Sequence, residues 1–498
     1  MGPTIVYRQE TIAPAQFHGR VLRAAQVLAS AGLKAGDVLA LLMRNSPQML
    51  ELMLAARWLG AQWCPINWHF RTDEVQYILD DSRARVFVVD GDLLHALPDL
   101  RLDTIPTFVT RSEGANLATS CVMDWDLARD AASEYGAPAQ TPRGAMLYTS
   151  GTTGRPKGIR RAPATAGQVA SGLAVLRQVL GFSPGMRALV NAPMYHSAPN
   201  SYSVGSALED ATLFIEARFD AEQTLRMIAR HRITHLYLVP TMYVRMLALP
   251  QAVRAAHDLD SVQFVASTGS PCAPDIKRAM IDWWGPVIHE SYGSSELGYM
   301  TLLNSADALR KPGSAGKPLP GVAMAILDTQ GLRVPTGQVG LIHVHQPAYA
   351  DFSYVGNDDA RRSMERSGLK TMGDLGYLDE EGFLFIVDRA SDMVISGGVN
   401  IYPAEIESVL QLMPGVADCA VFGIPDAEFG EALAAAVQPQ SGAAIDAAQV
   451  IAFLKPQLAS YKLPRRIEFV CDMPREDTGK IFKRKLREPF WSGVARRI

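Results

Sequence analysis

The chain has 498 residues, of which 48% are apolar and 20% charged, with a formal net charge of −3 and a mean hydropathy of +0.03. This is the composition of a folded globular protein, and its length calls for more than one folding unit. The slight negative charge gives no general attraction for nucleic acid or anionic membranes, so neither is expected as a partner.

In chain order, short apolar runs alternate with stretches of helical spacing. Val38–Met43, Arg85–Val89, His235–Val239 and Gln263–Ala266 read as buried strands; Pro47–Leu59 and Asp220–His231 have the spacing of helices. Such alternation predicts parallel sheets covered by helices, an α/β fold. From Val322 onward shorter strands with Gly and Pro turns (Thr336-Gly337, Glu381-Gly382) predict a small β-rich subdomain. After Asp388 the pattern changes again. A helix begins at Pro403 and stops at Pro414-Gly415; a strand at Cys419–Phe422, a helix over Ala447–Leu458 and a strand at Arg466–Val470 follow. The predicted boundaries are therefore 1–388 for a large N-terminal domain and 389–498 for a small α+β domain. An Ala-rich patch, Ala432–Ala436, carries no assignment. The cations between Lys480 and Arg497 read as a solvated tail that can also meet an anionic ligand.

Cys64, Cys121, Cys272, Cys419 and Cys471 are far apart, without a C-x-x-C pair, which disfavours zinc ribbons and disulfide frameworks and fits a reducing, cytoplasmic setting. No apolar run is long enough for an integral membrane segment. No secretory signal is expected at the N-terminus, and the final Ala-Arg-Arg-Ile is not a peroxisomal address. His343-Val-His345 puts two imidazoles on one strand face, but without an evident third ligand the pair reads as structural.

The most informative segment is Tyr148-Thr-Ser-Gly-Thr-Thr-Gly-Arg-Pro-Lys-Gly158. Glycines let a backbone turn sharply against a bulky anion, while amides, hydroxyls and a Lys charge converge on phosphate oxygens. Lys157 follows Pro156, so this is not a Walker A loop.

The string resembles the phosphate-loop signature of the acyl-adenylate-forming superfamily, which includes acyl-CoA synthetases, free-standing adenylation domains and beetle luciferases. Five further segments resemble the superfamily in order: Asn191-Ala-Pro-Met-Tyr-His196, Tyr292-Gly-Ser-Ser-Glu296, Thr371-Met-Gly-Asp-Leu-Gly-Tyr377, Asp388-Arg389 with Ser396-Gly-Gly-Val-Asn-Ile401, and Pro474-Arg-Glu-Asp-Thr-Gly-Lys480. The resemblance spans roughly residues 20 to 488. It implies ATP, Mg2+ and coenzyme A, with a small-molecule carboxylic acid as the group activated and the small domain serving as a mobile lid.

By the same resemblance, Lys480 bridges the carboxylate and the α-phosphate during adenylation, and His196 borders the acyl pocket. Thr149, Ser150, Gly151, Thr152, Thr153, Gly154 and Lys157 form the phosphate loop. Glu296, with Thr149, holds Mg2+; Ser295 keeps a hydroxyl where threonine is usual. Tyr292 stacks on adenine beside Gly293 and Ser270, Asp374 accepts from the ribose hydroxyls, and Arg389 donates to ribose or phosphate. Gly397 and Gly398 line the pantetheine tunnel and Phe429 meets the CoA adenine. Two departures stand out. Ser391 occupies the hinge position where Asp or Lys is usual, and Ile159-Arg-Arg-Ala162 replaces the common threonine-histidine pair after the phosphate loop.

The implied acyl pocket draws on Tyr195, Tyr202, Tyr237, Met242, Gly269, Gly298 and Tyr299. It holds no acid to pair with an amino group, and an unpaired ammonium is costly to desolvate. No carrier domain is expected after Lys480. A CoA ligase for a bulky apolar acid follows, with a hydroxycinnamic acid first and a medium- or long-chain fatty acid second. A luciferase-like oxygenase, a stand-alone adenylation domain and a silent nucleotide-binding regulator are the other readings. The expected assembly is a monomer or homodimer.

Overall fold

The computed structural model describes residues 2–111, 122–149, 156–475 and 481–492. Two parallel sheets carry the N-terminal part. The larger has the order Ile288–Glu290, Phe264–Ser267, His235–Leu238, Arg187–Val190, Thr212–Ile215 and Thr4–Tyr7, all parallel, with Glu10–Ile12 added antiparallel at the edge. The smaller runs Gln62–Pro65, Val38–Leu42, Val86–Asp90, Thr107–Thr110 and Val122–Asp124, parallel throughout. Strands such as Val38–Leu42 are buried on both faces, as their unbroken apolar runs require.

Helix Pro47–Trp58 lies between these sheets and shows why the sequence folds this way. Ser46 caps it by accepting from the Met49 amide at 3.2 Å, and Pro47 occupies the first turn, where no amide partner is needed. The helix is apolar nearly all round, and its buried Glu51 is held by Arg129 at 3.1 Å and Arg20 at 3.5 Å. Asn45, just ahead of it, donates to the Ala192 and Glu216 carbonyls and accepts from the Met194 amide. It thereby fixes the loop that carries His196.

The β-rich subdomain is an antiparallel sheet built on Ala323–Leu327, Gly340–His345, Asp374–Leu378 and Leu384–Arg389. His343 is buried on it, with Nδ1 3.2 Å from the Leu341 carbonyl, whereas His345 is exposed. A further, small sheet pairs Leu147–Thr149 with Lys157–Arg161 and Phe352–Tyr354.

From Val394 the chain forms a separate sheet of Val394–Ser396, Val399–Ile401, Val416–Asp426, Gly430–Pro439 and Arg466–Phe469, covered by helices Pro403–Leu410, Ala447–Leu454 and Lys483–Trp491. Two expectations change here, and one segment left without an assignment gains a place. The helix from Ala447 stops at Leu454 rather than Leu458, because Pro456 has no amide to donate and disfavours a helical residue before it. Ala432–Ala436 lies in the middle of a long hairpin strand. Ala435 faces Val421 and Leu433 on one side; Ala434 and Ala436 face Phe422 and Met473 on the other, so small side chains let both faces be covered closely. Four of the cations after Lys480 lie on a helix and not in an unstructured tail: Lys483–Trp491 packs on Val416–Asp426, with Lys483 and Arg487 half-buried and Arg484 and Lys485 exposed.

Candidate active site

Four adjacent parallel strands, Arg187–Val190, His235–Leu238, Phe264–Ser267 and Ile288–Glu290, end at one edge of the large sheet. The segments that leave their C-terminal ends are those containing Asn191–His196, Met242, Gly269–Ser270 and Tyr292–Glu296. Sites remote in sequence thus meet in the crevice where open α/β sheets bind ligands. Thr268 draws two of these loops together by donating to the Ser291 carbonyl at 2.7 Å.

Two antiparallel strands, Leu147–Thr149 and Lys157–Arg161, flank the phosphate-loop segment. Thr149 and Lys157 are paired partners at its base, while Ser150, Gly151, Thr152, Thr153 and Gly154 lie outside the described residues. Gly158 is required: a Cβ there would lie 2.7 Å from the Tyr148 ring, whose hydroxyl donates to Asp81 at 2.6 Å. Across the small sheet, the Lys157 ammonium sits 5.3 Å from the centroid of the Tyr354 ring. The Tyr354 hydroxyl donates to Glu296 Oε1 at 3.1 Å, and Thr149 Oγ1 approaches the same oxygen at 3.4 Å. Glu296 is buried. One buried carboxylate with a neighbouring hydroxyl is a hard oxygen donor set, which suits Mg2+ shared with nucleotide phosphates.

Two residues in this shell had no role assigned from the sequence. Tyr354 comes from a strand some 200 positions away, so no local motif reveals it. Arg161 was visible as a departure without a role. Its Nη1 donates to the Ala350 carbonyl at 2.9 Å, and its Nη2 to the carbonyls of Ser295 and Glu296 at 2.8 and 2.7 Å. Burial pulls the guanidinium pKa down, opposed by Tyr349, Glu296 and Asp351. Arg161 is therefore a brace for the Glu296 backbone, fixed by carbonyls, and not an exposed charge.

A second group joins Tyr292, Asp374 and Arg389. Asp374 and Arg389 face each other on paired strands, and the guanidinium Nε lies 3.2 Å from Asp374 Oδ1. The Tyr292 hydroxyl donates to Asp374 Oδ2 at 2.5 Å. Burial, then the Asp374 charge, pushes the Tyr292 phenol well above its usual range. Gly293 pairs with Tyr299 so closely that a Cβ would lie 2.6 Å from the Gly298 carbonyl. Ser270 is half-buried, next to Gly269 at φ +101°.

Among the residues expected around an acyl group, His196 ends the loop before helix Ser197–Ala207, with its ring 4.3 Å from that of Tyr195. Tyr202 and Tyr237 are fully buried with ring centroids 6.1 Å apart, and with Asn191, Pro199 and Ser203 they line a packing gap too small to hold a water molecule. Met242 and Tyr299 are buried nearby. The hydroxyls of Tyr202 and Tyr299 have no hydrogen-bond partner among the described residues. Gly298, expected to give room, does not: a Cβ there would lie 2.2 Å from the ring of Tyr349, which fills the space. Gly269 keeps open surroundings, with Tyr237 Oη 3.9 Å from a Cβ position.

In the C-terminal unit, Gly397 (φ +58°) and Gly398 (φ +79°) form an exposed turn. The Gly397 amide donates to the Phe429 carbonyl at 2.9 Å, and the Phe429 ring lies 4.5 Å from the Arg465 guanidinium, so a cation already covers one of its faces. The Ser391 carbonyl accepts from Arg487 at 3.4 Å, an arginine that also approaches Asp392 at 3.9 Å. Lys480 lies outside the described residues.

With this geometry in hand, comparison with known proteins is decisive at the level of family. The AMP-binding enzyme model matches residues 3–351, and the AMP-binding enzyme C-terminal domain model matches residues 405–480. The chain belongs to the AMP-binding enzyme family. It is an AMP-forming acid–thiol ligase of the acyl-adenylate-forming superfamily, in the acyl-CoA synthetase branch. A feruloyl-CoA synthase from an Amycolatopsis species is 33% identical over 96% of this chain and 93% of its own length. ScoC of Streptomyces coeruleorubidus, a fatty acid–[acyl-carrier-protein] ligase, is 32% identical over 100% of this chain and 95% of its own. The crystal structure of ATP-bound MatB from Rhodopseudomonas palustris superposes with a TM-score of 0.85 at 32% identity, covering 99% and 96% of the two chains. No helix among the described residues is long and apolar enough to cross a membrane.

Proposed function

We propose that this chain is an ATP-dependent carboxylic acid–CoA ligase for a bulky aryl acid of the hydroxycinnamic type. The observation that carries the substrate class is the pair of buried hydroxyls, Tyr202 and Tyr299, left without protein partners beside an otherwise apolar wall of Tyr237 and Met242. A buried hydroxyl lacking a partner costs about 1–3 kcal/mol. An aryl acid bearing ring hydroxyl or methoxy oxygens relieves that cost, while an alkyl chain does not. The similarity to a feruloyl-CoA synthase points the same way. A fatty acid is the second reading, favoured by the similarity to ScoC and by the soft apolar surface of Met242.

In the first step a carboxylate oxygen attacks the α-phosphorus of ATP and pyrophosphate leaves. Charge on the crowded phosphoryl group is met by Lys157 and the loop amides, and Lys480 joins the carboxylate to the α-phosphate. Glu296 and Thr149 would hold Mg2+, which supplies charge neutralisation to the polyphosphate. Asp374 and Arg389 take the ribose, with Tyr292 and Ser270 at the base. In the second step the CoA thiolate attacks the acyl carbon and AMP leaves. The turn at Gly397 and Gly398, without side chains, lets a thin pantetheine arm pass.

The decisive measurement is pyrophosphate release with ATP and Mg2+ over a panel of cinnamic, benzoic and fatty acids, with and without CoA. Hydroxylated cinnamic acids are expected to give the highest kcat/KM, with CoA required for turnover. Preference for unsubstituted alkyl acids would refute the substrate class. Lys480→Ala is expected to abolish pyrophosphate release while supplied acyl-AMP still reacts with CoA; loss of both steps would refute that role.

A further inference from the structure

The substrate class leaves open how far into the protein an acyl group can reach, and one side chain outside all the recognised motifs bears on this. Tyr349 sits on the loop between strands Gly340–His345 and Phe352–Tyr354. Its ring is wedged between two glycines: a Cβ on Gly298 would lie 2.2 Å from Cε2, and one on Gly172 would lie 3.8 Å from Cε1. Gly298 belongs to the turn that leads into Tyr299, and Gly172 lies in helix Ala166–Leu180. Tyr237 and Tyr299 belong to one buried apolar cluster, and Tyr349 packs against it. The ring therefore ends at the same tyrosine cluster that walls the acyl region. Arg161 covers it from another side, with the guanidinium 5.7 Å from its centroid.

We propose that Tyr349 is the plug that closes the far end of the acyl pocket, setting the maximum length of acid accepted. This rests on the ligase reading above. The slot it fills is flanked by two glycines, and Arg161 on a further side is held by three carbonyls, so no neighbouring side chain is free to take its place if the ring were removed. Its loop does not depend on the ring either. The Tyr349 carbonyl accepts from Gln168 at 3.3 Å, the Ala348 amide donates to Gln346 at 3.1 Å, and Gln346 donates to the Tyr299 carbonyl at 2.5 Å. The backbone is pinned while the side chain is free to be exchanged. An aromatic ring across the end of a pocket admits compact acids and rejects those that must continue past Gly298.

The test compares wild type, Tyr349→Phe and Tyr349→Ala in pyrophosphate release with cinnamic acid, 4-phenylcinnamic acid and straight-chain acids from octanoate to palmitate. Tyr349→Ala is expected to raise kcat/KM for the longer acids relative to cinnamic acid by about tenfold or more, since each added methylene that finds room gains a sizeable factor. The KM for ATP should stay unchanged. Tyr349→Phe keeps the ring and should keep the wild-type ratio. If Tyr349→Ala fails to fold, Tyr349→Leu supplies the same comparison with a smaller gap. An unchanged length profile in a folded variant, a uniform fall for all acids, or a Phe variant that behaves like Ala would each overturn the proposal. Should wild type prefer alkyl over aryl acids, the aryl reading fails. The shift in length limit would still report on Tyr349.

Discussion

The phenol of Tyr292 donates to one oxygen of Asp374 at 2.5 Å while Arg389 approaches the other at 3.2 Å. A carboxylate has about four lone-pair sites, so these two contacts orient it and still leave acceptors for ribose hydroxyls. Tyr292→Phe removes the orienting bond from a buried carboxylate. The expected result is a several-fold rise in the KM for ATP with little change in kcat. A loss of about 1.5–3 kcal/mol in urea unfolding should accompany it, as for a hydrogen bond to a charged acceptor. An unchanged KM would mean that Asp374 is held by Arg389 alone.

Tyr292 is one of many phenols in the same condition. Burial, as the first cause, pushes Tyr148, Tyr202, Tyr237, Tyr243, Tyr299, Tyr349 and Tyr354 upward too. A phenol whose pKa is higher folded than unfolded favours the folded state fully while the unfolded chain also keeps its proton. That contribution disappears as pH rises past the unfolded value of about 10, where only the unfolded chain ionises. Thermal unfolding is therefore expected to hold steady up to about pH 9 and to drop steeply between about pH 10 and 11. The drop should track the tyrosinate absorbance of the unfolding chain. Ionisation of these phenols in the folded state below that range would contradict the burial on which the acyl wall depends.

Arg161 makes a sharper test of how Glu296 is held. One guanidinium spans the carbonyls of Ala350, Ser295 and Glu296, a forked geometry that a point-charge ammonium does not reproduce. Arg161→Lys is expected to cost about 2–3 kcal/mol of stability through unmet buried carbonyls. The Mg2+ concentration for half-maximal pyrophosphate release should rise at the same time. Equal Mg2+ dependence in the two proteins would confine Arg161 to stability.

These residues also mark how far the sequence could be read. Val38–Leu42, Pro47–Trp58 and Ala221–His231 follow from unbroken apolar runs, helical spacing and capping by Ser46 and Asp220, all local signals. The phosphate loop and the Tyr292–Glu296 segment were visible as motifs because each is contiguous. Tyr354, Tyr349 and the role of Arg161 were not, since each acts on a partner far along the chain, and a lone Tyr or Arg carries no trace of that. Ala432–Ala436 carried no assignment for a different reason. Alanine has no strong strand preference, and only the closeness of layers on both faces of that hairpin explains its use.

The last of the misread segments leads to a prediction of its own. Helix Lys483–Trp491 begins three residues after Lys480, and its first residue is an anchor: Lys483 Nζ lies 2.8 Å from Glu407. Burial pulls the Lys483 pKa down, but Glu407, then Asp388 and Asp392, overcome it and raise it. A lysine raised in this way supports the fold at all pH values below about 10, and the support fades as pH climbs through its folded value. Lys483→Met removes the cation and leaves Glu407 and Asp388 facing each other, both already pushed upward by burial. At neutral pH the expected loss is about 3 kcal/mol, the cost of breaking one side of a buried pair. Lowering the pH to about 5 should restore part of it, because the carboxyl left behind then takes up a proton. Since the helix begins only three residues after Lys480, pyrophosphate release should fall more than the reaction of supplied acyl-AMP with CoA. Equal falls in both steps, with no recovery of stability in acid, would leave Lys483 as an ordinary surface cation.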